Sequence, residues 1–107
     1  MLPDQTIRVL VVDDDAMVRV GLGAVLSSAP DIEVVGEAGD GAQAIDAAMR
    51  HYPDVVLMDI RMPVMDGIEA TSRLRNMPRA PQVISLTSLD TDDAVFGSLD
   101  AGAAGFV

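Results

Sequence analysis

Apolar residues along the chain fall into two patterns that take turns. One is the short run closed by a polar turn. Examples are Val9-Leu10-Val11-Val12 before Asp13, Val55-Val56-Leu57-Met58 before Asp59, and Val83-Ile84-Ser85-Leu86 before Thr87. Runs of this length, rich in Val, read as strands buried on both faces. The other is a longer stretch with apolar positions at helical spacing. Val18, Leu22, Val25, Leu26 and Ala29 make one such stripe, and Ile45, Ala48, Met49 and Tyr52 make another. After a short leader over 1–6, the expected order opens with a strand over 7–12, a helix over 16–28 and a shorter strand over 32–36. A helix over 42–52, a strand over 55–59 and a helix from Asp66-Gly67 to about Asn76 follow. The order ends with a strand over 82–86, a helix capped by Asp90 or Thr91 and reaching Ala101, and a fifth strand over 103–107.

The punctuation fits these bounds. Ala29-Pro30-Asp31 stops the first helix. Gly39-Asp40-Gly41 is a turn in which Asp40 serves as N-cap. Pro53 ends the second helix, because the residue before proline is pushed out of the helical region. Met77 to Pro81 is a linker with two prolines, and Gly102 terminates the last helix. Gly21 and Gly23 each cost up to about 1 kcal/mol against Ala inside a helix. Close packing on the sheet is the plain explanation for them.

Alternation of strands and helices predicts an α/β fold: a doubly wound parallel sheet with helices on both faces and right-handed crossovers. In such sheets ligands bind at the carboxyl ends of the strands. Asp13, Asp14, Asp59 and Thr87 would converge there. Crowded carboxylates repel one another unless something positive joins them. A hard divalent cation with oxygen ligands suits the set, and Mg²⁺ suits an open carboxylate cluster that also receives phosphate. One acid of the group could then act as a nucleophile toward phosphorus.

The length of 107 residues fits one domain. The formal net charge of −10 argues against nucleic-acid binding by the chain's own surface. All seven basic residues are Arg, and there is no Lys and no Cys. The apolar runs are far shorter than the roughly 20 residues of a membrane span, and no signal peptide is visible, so a cytoplasmic location is expected. The bland readings are Asp15 as a helix cap, His51 as a helix-end surface residue, and Met58, Met62 and Met65 as packing and loop residues.

The chain resembles a response-regulator receiver domain. The matching pieces are Val12-Asp13-Asp14, Asp59-Ile60-Arg61-Met62-Pro63 with Asp66-Gly67, Leu86-Thr87-Ser88, and Ala101-Gly102-Ala103-Ala104-Gly105-Phe106. Arg19-Val20-Gly21-Leu22 and Val34-Val35-Gly36-Glu37-Ala38 are closest in texture to the NarL/LuxR-type transcriptional regulators. The resemblance implies a CheY-like, flavodoxin-like sheet of five strands in the order 2-1-3-4-5. It implies phosphorylation of Asp59 by a sensor histidine kinase, with Mg²⁺ held by Asp14 directly, Asp13 through water, Asp59, and the backbone carbonyl of Arg61. Thr87 would bond the phosphoryl group, and Phe106 would be the switch aromatic. The chain would be a signalling module, and its only chemistry would be its own phosphorylation and dephosphorylation.

The family also carries a Lys after the switch aromatic and a fifth helix. The chain ends at Val107 and has neither. Residues 1–107 therefore read as a receiver incomplete at its C-terminus, without the helix-turn-helix through which such regulators bind DNA. Two expectations follow: weakened phosphorylation or readout, and apolar surface on strands four and five that favours a homodimer. The alternatives are a dimerisation module that takes no phosphate, and a small Asp-based phosphohydrolase. Against the second, Met17 stands where the haloacid-dehalogenase pattern starting at Asp13-Asp14-Asp15 has Thr or Val.

Overall fold

In the computed structural model, residues 6–59, 65, 67–86, 105 and 106 are described. Their order is β1 (Ile7–Val12), α1 (Ala16–Ser27), β2 (Ile32–Ala38), α2 (Gly41–His51), β3 (Val55–Asp59), α3 (Gly67–Arg75), β4 (Gln82–Leu86) and β5 (Gly105–Phe106). The strands form one sheet in the order β2-β1-β3-β4-β5, and every pairing is parallel. This is the doubly wound order expected. The helix expected before β5 lies outside the described residues.

Alternation along the strands divides the core between two faces. Leu10 and Val12 of β1, Val56 and Met58 of β3, and Val83 of β4 meet α2 and α3 in one cluster. Ala44, Ala48 and Ala70 supply the helix side of it, and these short side chains let both helices approach the sheet closely. Leu10, Met58 and Leu74 are 0 % exposed, and each such burial contributes about 2 kcal/mol. Val9 and Val11, the alternate positions of β1, are also buried but belong to the other face.

Among the described residues, that second face is covered by α1, and less completely. No residue of α1 is buried. Leu22 and Leu26 are half-buried, whereas Val18 and Val25 are 40 % and 69 % exposed. The helix is turned relative to the stripe read from the sequence, so Arg19, Leu22, Gly23 and Leu26 form its less exposed side. Close packing is also not the reason for Gly21 and Gly23: a Cβ at either would meet nothing within 4 Å.

Several element ends differ from expectation by a residue or two, and those of β2 and α2 have a visible cause. β2 runs to Ala38 because pairing with β1 continues past a register shift between Val9 and Leu10, ending at Val12↔Ala38. α2 spans Gly41–His51, and Tyr52 leaves it in the left-handed region at φ 47°. Its NH still bonds the Ala48 carbonyl at 2.9 Å. Arg79, also left-handed at φ 57°, stacks its guanidinium 4.7 Å from the centre of the Tyr52 ring. His51 is half-buried rather than a surface residue, its ring lying against Gly36.

Candidate functional site

The carboxyl ends of β1 and β3 lie side by side, since Val12 pairs with Met58 in the parallel register. The next residues along these strands are Asp13 and Asp59. Together with Asp14 they bring three carboxylate oxygens within 4.8 Å of one another. Asp13 is buried, Asp59 half-buried and Asp14 exposed, so the cluster opens to solvent on one side. Three hard oxygen donors at this spacing fit a small divalent cation such as Mg²⁺.

Local bonds hold the loop that carries these acids. The Asp13 NH donates to the Ala38 carbonyl at 3.1 Å. The Asp13 Oδ1 accepts from the Asp15 NH at 2.9 Å. Asp15 is the N-cap of α1, its Oδ1 accepting from the Met17 NH at 2.9 Å. The cap reading of Asp15 is thus the one realised, and its carboxylate is committed to the helix end. The guanidinium of Arg19 reaches back to the Asp13 carbonyl at 2.6 Å and to Glu37 at 3.2 Å.

On the other side of the site, Asp40 caps α2 by accepting from the Gln43 NH at 2.8 Å. Gln43 returns its Oε1 to the Gly39 NH at 2.8 Å, a reciprocal pair of the capping-box kind. The Gly41 NH then donates to the carbonyl of Met65 at 3.1 Å. Met65 follows Asp59 by six residues, so α2 is tied to the connection between β3 and α3. Sequence reasoning missed both this tie and the Arg19 bridge. Arg19 was visible only as part of a family texture, and Gly41 only as a turn residue.

Burial and neighbouring charge both act on the Asp13 carboxyl. Burial, together with the negative charges of Asp14 and Asp15, raises its pKa above the usual value of 3.8 against the lowering bond from Asp15. The folded chain therefore holds this proton to higher pH than the unfolded chain does. At neutral pH the charged carboxylate costs stability, and that cost fades as the pH falls through the raised pKa. Asp13→Asn removes it while keeping an oxygen for the Asp15 NH. We expect the metal-free variant to gain about 1 kcal/mol at neutral pH. Urea melts should show the gain shrinking as the pH is lowered toward the ordinary aspartate range.

Of the other residues expected at the site, Arg61, Thr87 and Ser88 lie outside the described residues. Phe106 is placed by its backbone alone, in β5 beside Ser85 of β4. Among the described residues no helix is long and apolar enough to cross a membrane.

Comparison with known proteins agrees with this geometry. The profile of the response regulator receiver domain matches residues 9–107. The transcriptional regulatory protein LiaR of Bacillus subtilis is 48 % identical over 101 residues, covering 94 % of this chain and 48 % of LiaR. The response regulator VraR of Staphylococcus aureus is 45 % identical over 102 residues, covering 95 % of this chain and 49 % of VraR. The chain thus spans about half the length of these relatives. Among solved structures, the signal receiver domain of NarL from Mycobacterium tuberculosis superposes with a TM-score of 0.90 at 39 % identity, over 95 % of this chain and 82 % of that one. A chain of the CheX–CheY–BeF₃–Mg²⁺ complex from Borrelia burgdorferi gives 0.87 at 30 % identity, over 96 % and 78 %. The phosphohydrolase alternative falls with these matches: a response regulator receiver domain is a signalling domain rather than a conventional enzyme. Five parallel strands in this order, an acidic cluster at the ends of β1 and β3, and a match along nearly the whole sequence have one common explanation: the chain belongs to the response regulator receiver domain family.

Proposed function

We propose that Asp59 is the phosphoacceptor of a two-component switch, taking its phosphoryl group from the phosphohistidine of a sensor histidine kinase. The observation that carries this reading is the meeting of Asp13, Asp14 and Asp59 at adjacent strand ends. An Asp59 carboxylate oxygen attacks phosphorus, the P–N bond to the imidazole breaks, and the imidazole departs with a proton. The product is an acyl phosphate on Asp59. Asp14 would hold Mg²⁺ directly, Asp13 through water, and Asp59 and the Arg61 carbonyl would complete the protein ligands. When bound, Mg²⁺ offsets the negative charge that gathers on the phosphoryl oxygens. In this reading Thr87 bonds the phosphoryl group and Phe106 follows it as the switch aromatic.

We place residues 1–107 in one receiver unit of a cytoplasmic regulator. Its output is DNA binding by a separate domain, as the transcriptional role named for LiaR suggests. A homodimer is the partner state consistent with such regulators.

Intact-mass labelling with acetyl phosphate tests the proposal. We expect one phosphoryl mass in the presence of Mg²⁺ and none with EDTA. Labelling that ignores EDTA would refute the metal assignment. A chain that never labels, even when extended by a further helix, would refute the phosphoacceptor reading.

A further inference from the structure

The helix dipole disfavours a cation near a helix N-terminus, yet Arg19 is the fourth residue of α1. Helical side chains lean back toward the N-terminus, and this one does so with both ends of its guanidinium engaged. Nη1 donates to the Asp13 carbonyl oxygen at 2.6 Å, and Nε donates to Glu37 Oε1 at 3.2 Å. Its side chain is 21 % exposed while that of Glu37 is 50 % exposed. Asp13 is thereby held at three points: its NH by Ala38 of β2, its side chain by Asp15, and its carbonyl by Arg19. The two strand ends involved, Val12 and Ala38, are paired. Arg19 therefore spans from α1 across the exit of β1 to the end of β2.

We infer that Arg19 is a positioning residue for the metal-binding acids, fixing the loop of Asp13 and Asp14 against their mutual repulsion. This inference rests on the reading of the acidic cluster given under Proposed function. A guanidinium suits the task because its planar fork serves two acceptors at once, whereas an ammonium is a point charge. It also makes a prediction whose sign separates it from plain electrostatics. Removing a positive charge beside a cation site should tighten Mg²⁺ if charge alone matters. Removing a positioning bond should weaken it.

Isothermal titration of Mg²⁺ into the chain at constant ionic strength decides between them. We expect Arg19→Gln to weaken binding about tenfold, the scale for partners that orient metal ligands. Arg19→Lys keeps the charge and should recover only part of that loss. Unchanged or tighter binding by Arg19→Gln overturns the inference. So does full wild-type affinity in Arg19→Lys alongside tighter binding in Arg19→Gln. If Arg19→Gln does not fold by circular dichroism, Glu37→Gln carries the test, with an expected loss of about two- to fivefold. An unchanged affinity there overturns the inference. Should the wild-type chain bind no Mg²⁺, the reading of the acidic cluster fails and takes this inference with it. A wild-type chain that binds and a Gln variant that binds equally well sinks the role of Arg19 alone.

Discussion

Asp59→Asn should gain no phosphoryl mass from acetyl phosphate under conditions where the wild-type chain gains one. The amide oxygen is a poor nucleophile, and the variant also loses one of the three carboxylates that would hold the metal. Asn preserves size and shape, so the fold should survive and the loss should be chemical. Fully retained secondary structure by circular dichroism, alongside absent labelling, is the expected pair of results. Labelling of Asp59→Asn at the wild-type rate would move the nucleophile to Asp13 or Asp14.

Gly41→Val should cost about 2–3 kcal/mol and slow labelling as well. A Cβ at position 41 would lie 2.6 Å from the Met65 carbonyl oxygen and 2.8 Å from the Met65 Cβ and Cγ. The nearest of these is backbone, so relief requires the segment after β3 to move. Overpacking of this kind costs about 1–3 kcal/mol. Val is little better than Gly as a helix former, so propensity offsets almost none of it. Ala recovers up to about 1 kcal/mol in propensity, so Gly41→Ala should be the milder of the two. Urea melts measure the stability loss. The labelling rate of the folded variant measures the displacement, because the Gly41–Met65 bond anchors the same connection that leads away from Asp59. A destabilised variant that labels at the wild-type rate would show that the two ends of this connection are independent.

Much of this architecture was readable from local pattern. Val-rich runs closed by acids marked β1 and β3. Parallel pairing then followed from the helices between them, and it alone brings Asp13 beside Asp59. Caps were readable too: Asp15 and Asp40 both bond the NH groups expected of them. The orientation of α1 was not. Its apolar positions wrap widely enough to support more than one inward face, and the less exposed side is set by Arg19 and Gly23 as much as by the leucines. The end of β2 was also misjudged by two residues, because Glu37 is exposed and broke the apolar run while its backbone stayed in the ladder. Side-chain bridges such as Arg19 to the Asp13 carbonyl join positions whose proximity depends on the finished sheet. No periodicity records them.

The exposure of α1 has a consequence for how the domain opens. β1 lies between β2 and β3, and β3 between β1 and β4, so the acids rest on two interior strands that separate only in global unfolding. α1 has no buried residue and is the helix that borders the same acids. Regions with few buried contacts open locally at a small fraction of the global free energy. Amide hydrogen exchange in α1 will therefore outpace exchange in β1 and β3. Whatever mobility Asp14 has will arrive from its helix side, while the strand beneath it stays closed.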